Sequence, residues 1–445
     1  MSAMSVDVFV PLLVGCLRKE HNADIMLLAS RAMCNMMDVL PSSPAALVHY
    51  DAVPLFCERL LNIEYIDLAE QALQALEKLS HEHPLAVLRA GGMLAVLQFV
   101  DFFATGVQRI AVSTAANLCR GLPIECSHLI SDAVPQLTGL LGHHDQKVLE
   151  HVCLAFARLV DDFAHAPAKL EMLAAHGLLP ALLHLVSSMI VGGGTLSGGS
   201  SEVTLPTATY TMLLRALATL CRGSPTLAHQ LLGQGVAYKI REILLTDESV
   251  GAPVSRPHDQ LHQILSLSNE LLPPLPKAAS SAGGSASPPA RSSSAKRRSR
   301  RGGEGDDDVE QSAAAIAERE RVLAEEPDLL VSYSGALLPV FLQVHSAAAN
   351  AGVRQKCLSC ICKVVHFSSA KSLEELLREL PFASFIASLL ASQEVAQGLL
   401  GIFMAELLFE KLPHIYADKF LREGVFHAVT ALCNAKPPTP LTTSP

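Results

Sequence analysis

Tryptophan is absent from this sequence, and aromatic residues make up only 5% of it. The apolar half of the chain is mostly Leu, Ala and Val, and Leu and Ala are good helix formers, so helices are the first expectation. Positive charge is not in excess. Lys and Arg number 34 against 43 Asp and Glu, a net charge of −9, which argues against a general nucleic-acid or anionic-membrane binder. No basic stretch precedes an apolar core near Met1, where Asp7 stands instead, so no signal peptide is expected. The longest apolar run, 177–191, is broken by Pro180 and His184 and is too short to span a membrane. The 11 cysteines are odd in number and scattered through apolar stretches, as at Cys34, Cys119, Cys153 and Cys221. Reduced thiols of a nuclear or cytoplasmic protein behave that way.

Motifs that carry chemistry are also lacking. Cys357, Cys360 and Cys362 lie close together, but a structural zinc site needs four ligands and no second pair follows. His81-Glu82-His83 and His143-His144 lack the i, i+4 spacing of a metalloprotease helix. Gly192-Gly193-Gly194 and Gly198-Gly199 are not followed by the Lys-Ser/Thr pair of a phosphate-binding loop. There is no Gly-x-Ser-x-Gly element. No catalytic, cofactor-binding or metal site is expected.

A repeat is present. A small residue or Gly precedes two or three apolar residues, often with Pro, and a helical pattern follows. The instances are Ala52-Val53-Pro54, Gly92-Met93-Leu94, Ala133-Val134-Pro135, Gly177-Leu178-Leu179-Pro180, Gly235-Val236, Gly335 through Pro339, and Gly424-Val425-Phe426. The first intervals are 40, 41 and 44 residues. Longer helices are expected to begin near Ala23, Asp67, Gly106, Asp145, Thr207, Asp259, Val353 and Gln393. Leu68, Ala72, Leu76 and Leu79 form one apolar stripe, and Val148, Val152, Ala155 and Leu159 another. Thr105 with Gln108, and Asp67 with Glu70, have capping-box spacing. Pro84, Pro123, Pro225 and Pro413 stand where helices should stop. A period near 40 residues fits HEAT or armadillo repeats, and the Gly/Pro turn favours armadillo. The expected fold is all-α, a right-handed superhelical solenoid of about eight repeats.

Composition shifts at 273–327, which is rich in Pro, Ser, Gly and Ala and is expected to be a disordered linker. It separates armadillo repeats at 6–272, with a Gly/Ser insertion at 192–201, from repeats at 328–433 and a tail at 434–445. Lys296, Arg297, Arg298, Arg300 and Arg301 suit a nuclear-import signal.

In an armadillo solenoid the long helix of each repeat lines a concave groove. Its polar position near the C-terminal end reads Asn35, Lys78, Asn117, Arg158, Thr219, Glu270, Lys363 and Glu406. These residues are the candidate protein-binding ladder, basic early and acidic late, suited to a peptide or domain of mixed charge. Import receptors of this fold hold basic peptides with repeated Trp and Asn; the missing Trp argues against that class.

Long words of the sequence resemble one family. They include Ile63-Glu64-Tyr65-Ile66-Asp67-Leu68-Ala69-Glu70-Gln71-Ala72, Gly106-Val107-Gln108-Arg109-Ile110-Ala111, Lys147-Val148-Leu149-Glu150 and Lys411-Leu412-Pro413. The chain resembles the armadillo region of HECT-type E3 ubiquitin ligases of the KAKTUS and thyroid-receptor-interacting kind. The resemblance implies a non-catalytic region that recognises protein substrates, within a protein acting in ubiquitination and ubiquitin-dependent degradation. It implies that an E2 is met only through a HECT domain, which these residues do not include, and that Cys433 does not inherit the catalytic role. The chain alone is expected to be inactive, without cofactor, nucleic acid or membrane among its partners. The alternative is a stand-alone armadillo adaptor without ligase activity.

Overall fold

A computed structural model describes residues 6–19, 21–188, 205–245, 257–276 and 304–434, with the side chains of 304–312 left aside. All regular structure among the described residues is helical. The chain divides into two compact units between Leu227 and Ala228.

The first unit starts with α1 (Val6–Leu17) and α2 (Ala23–Val39). Then come α3 (Ser43–His49), α4 (Ala52–Leu61) and α5 (Ile66–Glu82), followed by α6 (Pro84–Arg89), α7 (Gly92–Leu97) and α8 (Thr105–Leu118). Two 3-10 turns (Ile124–Leu129 and Ser131–Ala133) lead to α9 (Val134–Leu140) and α10 (Gln146–Asp162). The last repeat holds α11 (Pro167–Ala174), α12 (Leu178–Ser188) and α13 (Thr207–Gly223). Two short helices and one long one per repeat is the armadillo pattern. The long helices α2, α5, α8, α10 and α13 pack each against the next, and we call them ladder helices.

The turn between the two short helices rests on one left-handed residue. Asp51, Gly91, Gly177 and Gly235 have φ of 57°, 83°, 83° and 70°. At Gly91 a side chain would strain this conformation. Its neighbour Gly92 is needed for closeness instead: a Cβ there would lie 2.5 Å from Val87 Cγ1. Both expected stripes are buried, since Leu68, Ala72, Leu76 and Leu79 are at most 2% exposed and Val148, Val152, Ala155 and Leu159 are at 0%. Each such leucine contributes about 1.5–3 kcal/mol over an exposed one.

The division falls within α14 (Pro225–Gly233), and the second unit continues with α15 (Val236–Leu245) and α16 (His258–Leu271). Next are α17 (Glu304–Glu325), α18 (Pro327–Ala347) and α19 (Ala351–Phe367), then α20 (Ala370–Leu376), α21 (Phe382–Leu390) and α22 (Val395–Lys411). α23 (Pro413–Arg422) and α24 (Val425–Asn434) end it, with Gly424 left-handed between them. The ladder helices here are α16, α19 and α22, packed in that order.

Four expectations change. The segment 273–327 is not disordered throughout, because 304–325 is the helix α17. Its Ala-rich run favours a helix, Arg321 pairs with Glu318 at 2.6 Å and Glu325 at 2.7 Å, and Leu323 is buried. Nor does that segment divide two arrays. α15 packs on α18 and α16 on α19, and the buried Tyr333 hydroxyl donates to the Ser268 carbonyl at 2.8 Å, so both sides share one core. The signature at Gly335–Pro339 marks no turn, since α18 runs through it on the buried Leu337, Leu338, Val340 and Phe341. The expected capping boxes do not form either. Tyr65 and Ala104 are the N-caps of α5 and α8, whereas Asn22, Asp145 and Asn350 cap α2, α10 and α19 with side-chain oxygens. α18 is long and apolar enough to cross a membrane, yet half of its apolar window is buried in this unit. The insertion 192–201, the basic run 296–301 and the tail beyond Asn434 lie outside the described residues.

Candidate protein-binding face

The C-terminal end of any helix leaves carbonyls without partners. In this chain the following ladder helix supplies the donors. In the first unit Lys78 of α5 pairs with Asp38 in the last turn of α2 at 2.5 Å and adds a bond from Nζ to the Cys34 carbonyl, a turn further into that helix, at 3.3 Å. Arg120, just past α8, donates to the His81 carbonyl of α5. Arg158 of α10 donates to the Ala116 carbonyl of α8 and reaches Asn117 Oδ1 at 3.5 Å. Asn117, 8% exposed, donates from Nδ2 to Ser80 Oγ at 3.1 Å. Asp162 of α10 accepts from the Leu122 amide at 2.8 Å, and Arg215 of α13 pairs with Asp161 at 2.6 Å.

The second unit repeats the device. Lys363 of α19 is 4% exposed and donates to the carbonyls of Asn269 (2.6 Å) and Leu272 (3.1 Å) at the end of α16. Burial pushes its ammonium down to about 8, against the opposing pull of Glu270. Arg319 of α17 donates to the carbonyls of Glu270 and Leu272. Lys411 of α22 reaches three carbonyls at the end of α19, those of Val365 (2.9 Å), His366 (2.6 Å) and Ser368 (2.8 Å). Cations near helix C-termini also face the negative end of the macrodipole.

The eight ladder residues therefore differ in what they offer. Asn35 and Glu406 are exposed, and Glu270 is half-buried with its carboxylate accepting from Asn269 Nδ2 at 3.3 Å. Lys78, Arg158 and Lys363 are committed to the preceding helix. Thr219 is 4% exposed and accepts from Arg222 at 3.4 Å. Arg120, Arg319 and Lys411 share the role and were missed in the sequence. The signal was a basic residue recurring at helix ends one repeat apart. Gln74 adds an exposed polar group one turn before Lys78.

Ion pairs fix the other end of a ladder helix. Arg109 grips Asp145 with two bonds, Nε to Oδ1 at 3.0 Å and Nη2 to Oδ2 at 2.7 Å, while Asp145 caps α10 through the Lys147 and Val148 amides. The guanidinium first, then these amides, hold the Asp145 carboxyl down to about 2. Cys357, Cys360 and Cys362 are all fully buried, and burial raises each thiol, Cys360 to about 12. Thiols so raised are poor nucleophiles. Cys433 is exposed. Among the described residues no three His, Cys, Asp or Glu side chains are grouped to hold a metal ion.

Residues 1–89 match the family described as E3 ubiquitin-protein ligase TRIP12-like, TPR repeats. In this chain those residues include the three-helix repeat α3–α5. Over 97% of its length the chain is 44% identical to E3 ubiquitin-protein ligase UPL3 of Arabidopsis thaliana, covering 23% of that protein. It is 35% identical to UPL4 of the same plant, covering 26% of it, and 34% identical to E3 ubiquitin-protein ligase TRIP12 of Danio rerio, covering 23% of it; each match takes in 98% of this chain. The chain thus spans about a quarter of these relatives. An engineered protein of known crystal structure shares the fold at 14% identity, with a TM-score of 0.50 over 96% of this chain and 95% of that one.

Proposed function

We propose, from the premise that this chain is the counterpart of the repeat region of HECT-type E3 ubiquitin ligases of the UPL3 and TRIP12 kind, that it is their non-catalytic protein-recognition region. Protein substrates, or peptide segments of them, lie along the ladder helices, and ubiquitin transfer belongs to a HECT domain elsewhere in the ligase. The observation that supports this best is the ladder itself. Its basic side chains are oriented by bonds to the preceding helix, so the remaining donors of the Arg120 and Arg158 guanidinium groups are held in place before a partner arrives. A surface ordered in advance loses less entropy on binding. Ubiquitin-dependent degradation of the bound protein, and residence in the nucleus or cytoplasm with import through 296–301, are part of the same proposal.

The test replaces the matching segment of Arabidopsis UPL3 by this chain. The hybrid ligase is expected to form its ubiquitin thioester and to ubiquitinate substrate. The double variant Asn35→Glu, Gln74→Glu, which touches no capping bond between helices, should keep the thioester and the melting temperature while substrate ubiquitination falls about ten-fold or more. Undiminished substrate ubiquitination in that variant would sink the proposal.

A further inference from the structure

Away from the ladder helices, a cleft of about 200 Å³ opens in the second unit between the end of α20 and α23. Its floor is apolar: Leu377 and Leu412 are 2% and 1% exposed, and Ile415 is half-buried. Tyr416 also lines it, is 1% exposed, and its buried hydroxyl has no hydrogen-bond partner. A buried hydroxyl left unpaired costs about 1–3 kcal/mol, so it needs a reason. Burial also raises this phenol to about 12, which keeps its proton in place as a donor. Arg378 and Lys419 stand at the rim, with Lys419 Nζ 5.3 Å from the Tyr416 ring centroid. Neither has a carboxylate at ion-pair distance among the described residues, whereas Arg109, Lys147, Arg215, Arg321 and Arg354 all do. The one acidic group on the lining is Glu374.

An apolar floor, three donors without acceptors, and room for little more than one residue define the ligand. Pockets for drug-sized molecules begin at about 300 Å³, and a chain passing through needs an exit as well as an entrance. We propose that this cleft captures the C-terminal residue of a partner protein. The apolar last side chain rests on Leu377, Leu412 and Ile415, and its α-carboxylate accepts from the Tyr416 hydroxyl, Arg378 and Lys419. Lys419 swings off the ring to admit it, and Glu374 accepts from the N–H of the captured residue. Capture of a chain terminus by convergent donors is an established mode of peptide recognition.

The experiment titrates the whole 445-residue chain into fluorescein-labelled Gly-Gly-Ser-Leu and follows anisotropy. The probe is made as the free acid, as the C-terminal amide, and as a longer peptide whose only carboxylate outside the label common to all three is an internal Asp side chain, its terminus amidated. The free acid is expected to bind saturably, and the amide about ten-fold more weakly or worse, the loss of one charge-assisted bond. Arg378→Ala and Tyr416→Phe should each weaken the acid about three-fold or more. Tyr416→Phe should leave the melting temperature equal or higher, because it removes only the unpaired hydroxyl. Equal binding of acid and amide, equal binding of the internal-Asp peptide, no saturation at millimolar protein, or wild-type affinity in both variants overturns the proposal. The ladder variant Asn35→Glu, Gln74→Glu should bind the acid normally, so failure here and failure of the ladder reading are separate results.

Discussion

At Asp145 one carboxylate does two jobs: it caps α10 and holds Arg109 of α8. Its pKa is drawn down to about 2 in the folded chain, against about 3.9 for an unperturbed Asp. A folded pKa below the unfolded one means stability that is fully present above about pH 4 and is lost as pH falls towards 2. The gap in melting temperature between the natural chain and Asp145→Asn should therefore be widest near pH 5 and should close by about pH 2. A gap that stays constant across that range would mean the carboxylate contributes through packing alone. Asp145 was legible as a helix start because an Asx residue stood before an apolar stripe. Its grip on Arg109 was not legible, since nothing in a single sequence pairs two residues one repeat apart.

The long ladder helices were the most legible elements. Each carries an apolar stripe at helical spacing, bounded by Pro or by an N-cap, and their expected and observed starts agree to within a residue or two. α17 was hidden because it adjoins a Ser/Gly/Pro tract. Its place depends on Arg319 meeting the carbonyls of Glu270 and Leu272, a partnership that composition does not reveal. Pro339 misled in the opposite direction, because a proline reads as a break unless the flanking side chains are buried deeply enough to carry the helix past it. At this scale the measurable device is the capping cation. Lys411→Met should leave three carbonyls at the end of α19 short of a donor and cost about 1–3 kcal/mol, read as a lower urea midpoint at unchanged m-value. Unaltered stability would show that water replaces the ammonium at no cost.

Across the whole chain, the strongest departure from the sequence reading is where it divides. A low-complexity stretch suggests a boundary, yet the helices on either side of 277–303 share a core through Tyr333 on Ser268 and Lys363 on Asn269 and Leu272. Cutting the chain at a protease site placed within 277–303 should thus yield two fragments that co-elute on gel filtration under native conditions and part only in denaturant. Separation without denaturant would refute the shared core.

The capping cations also bear on how such a chain can change over generations. A repeat array that bonded only within its own repeats could gain or lose one by copying or deleting about 40 residues. Here Arg158, Lys363 and Lys411 each finish a helix belonging to the repeat before, and they meet one, two and three of its carbonyls. A duplicated repeat would arrive with a donor shaped for a different neighbour. Copying one repeat is therefore expected to leave one junction whose donor does not match the carbonyls before it, and a chain lengthened in that way should melt at a lower temperature.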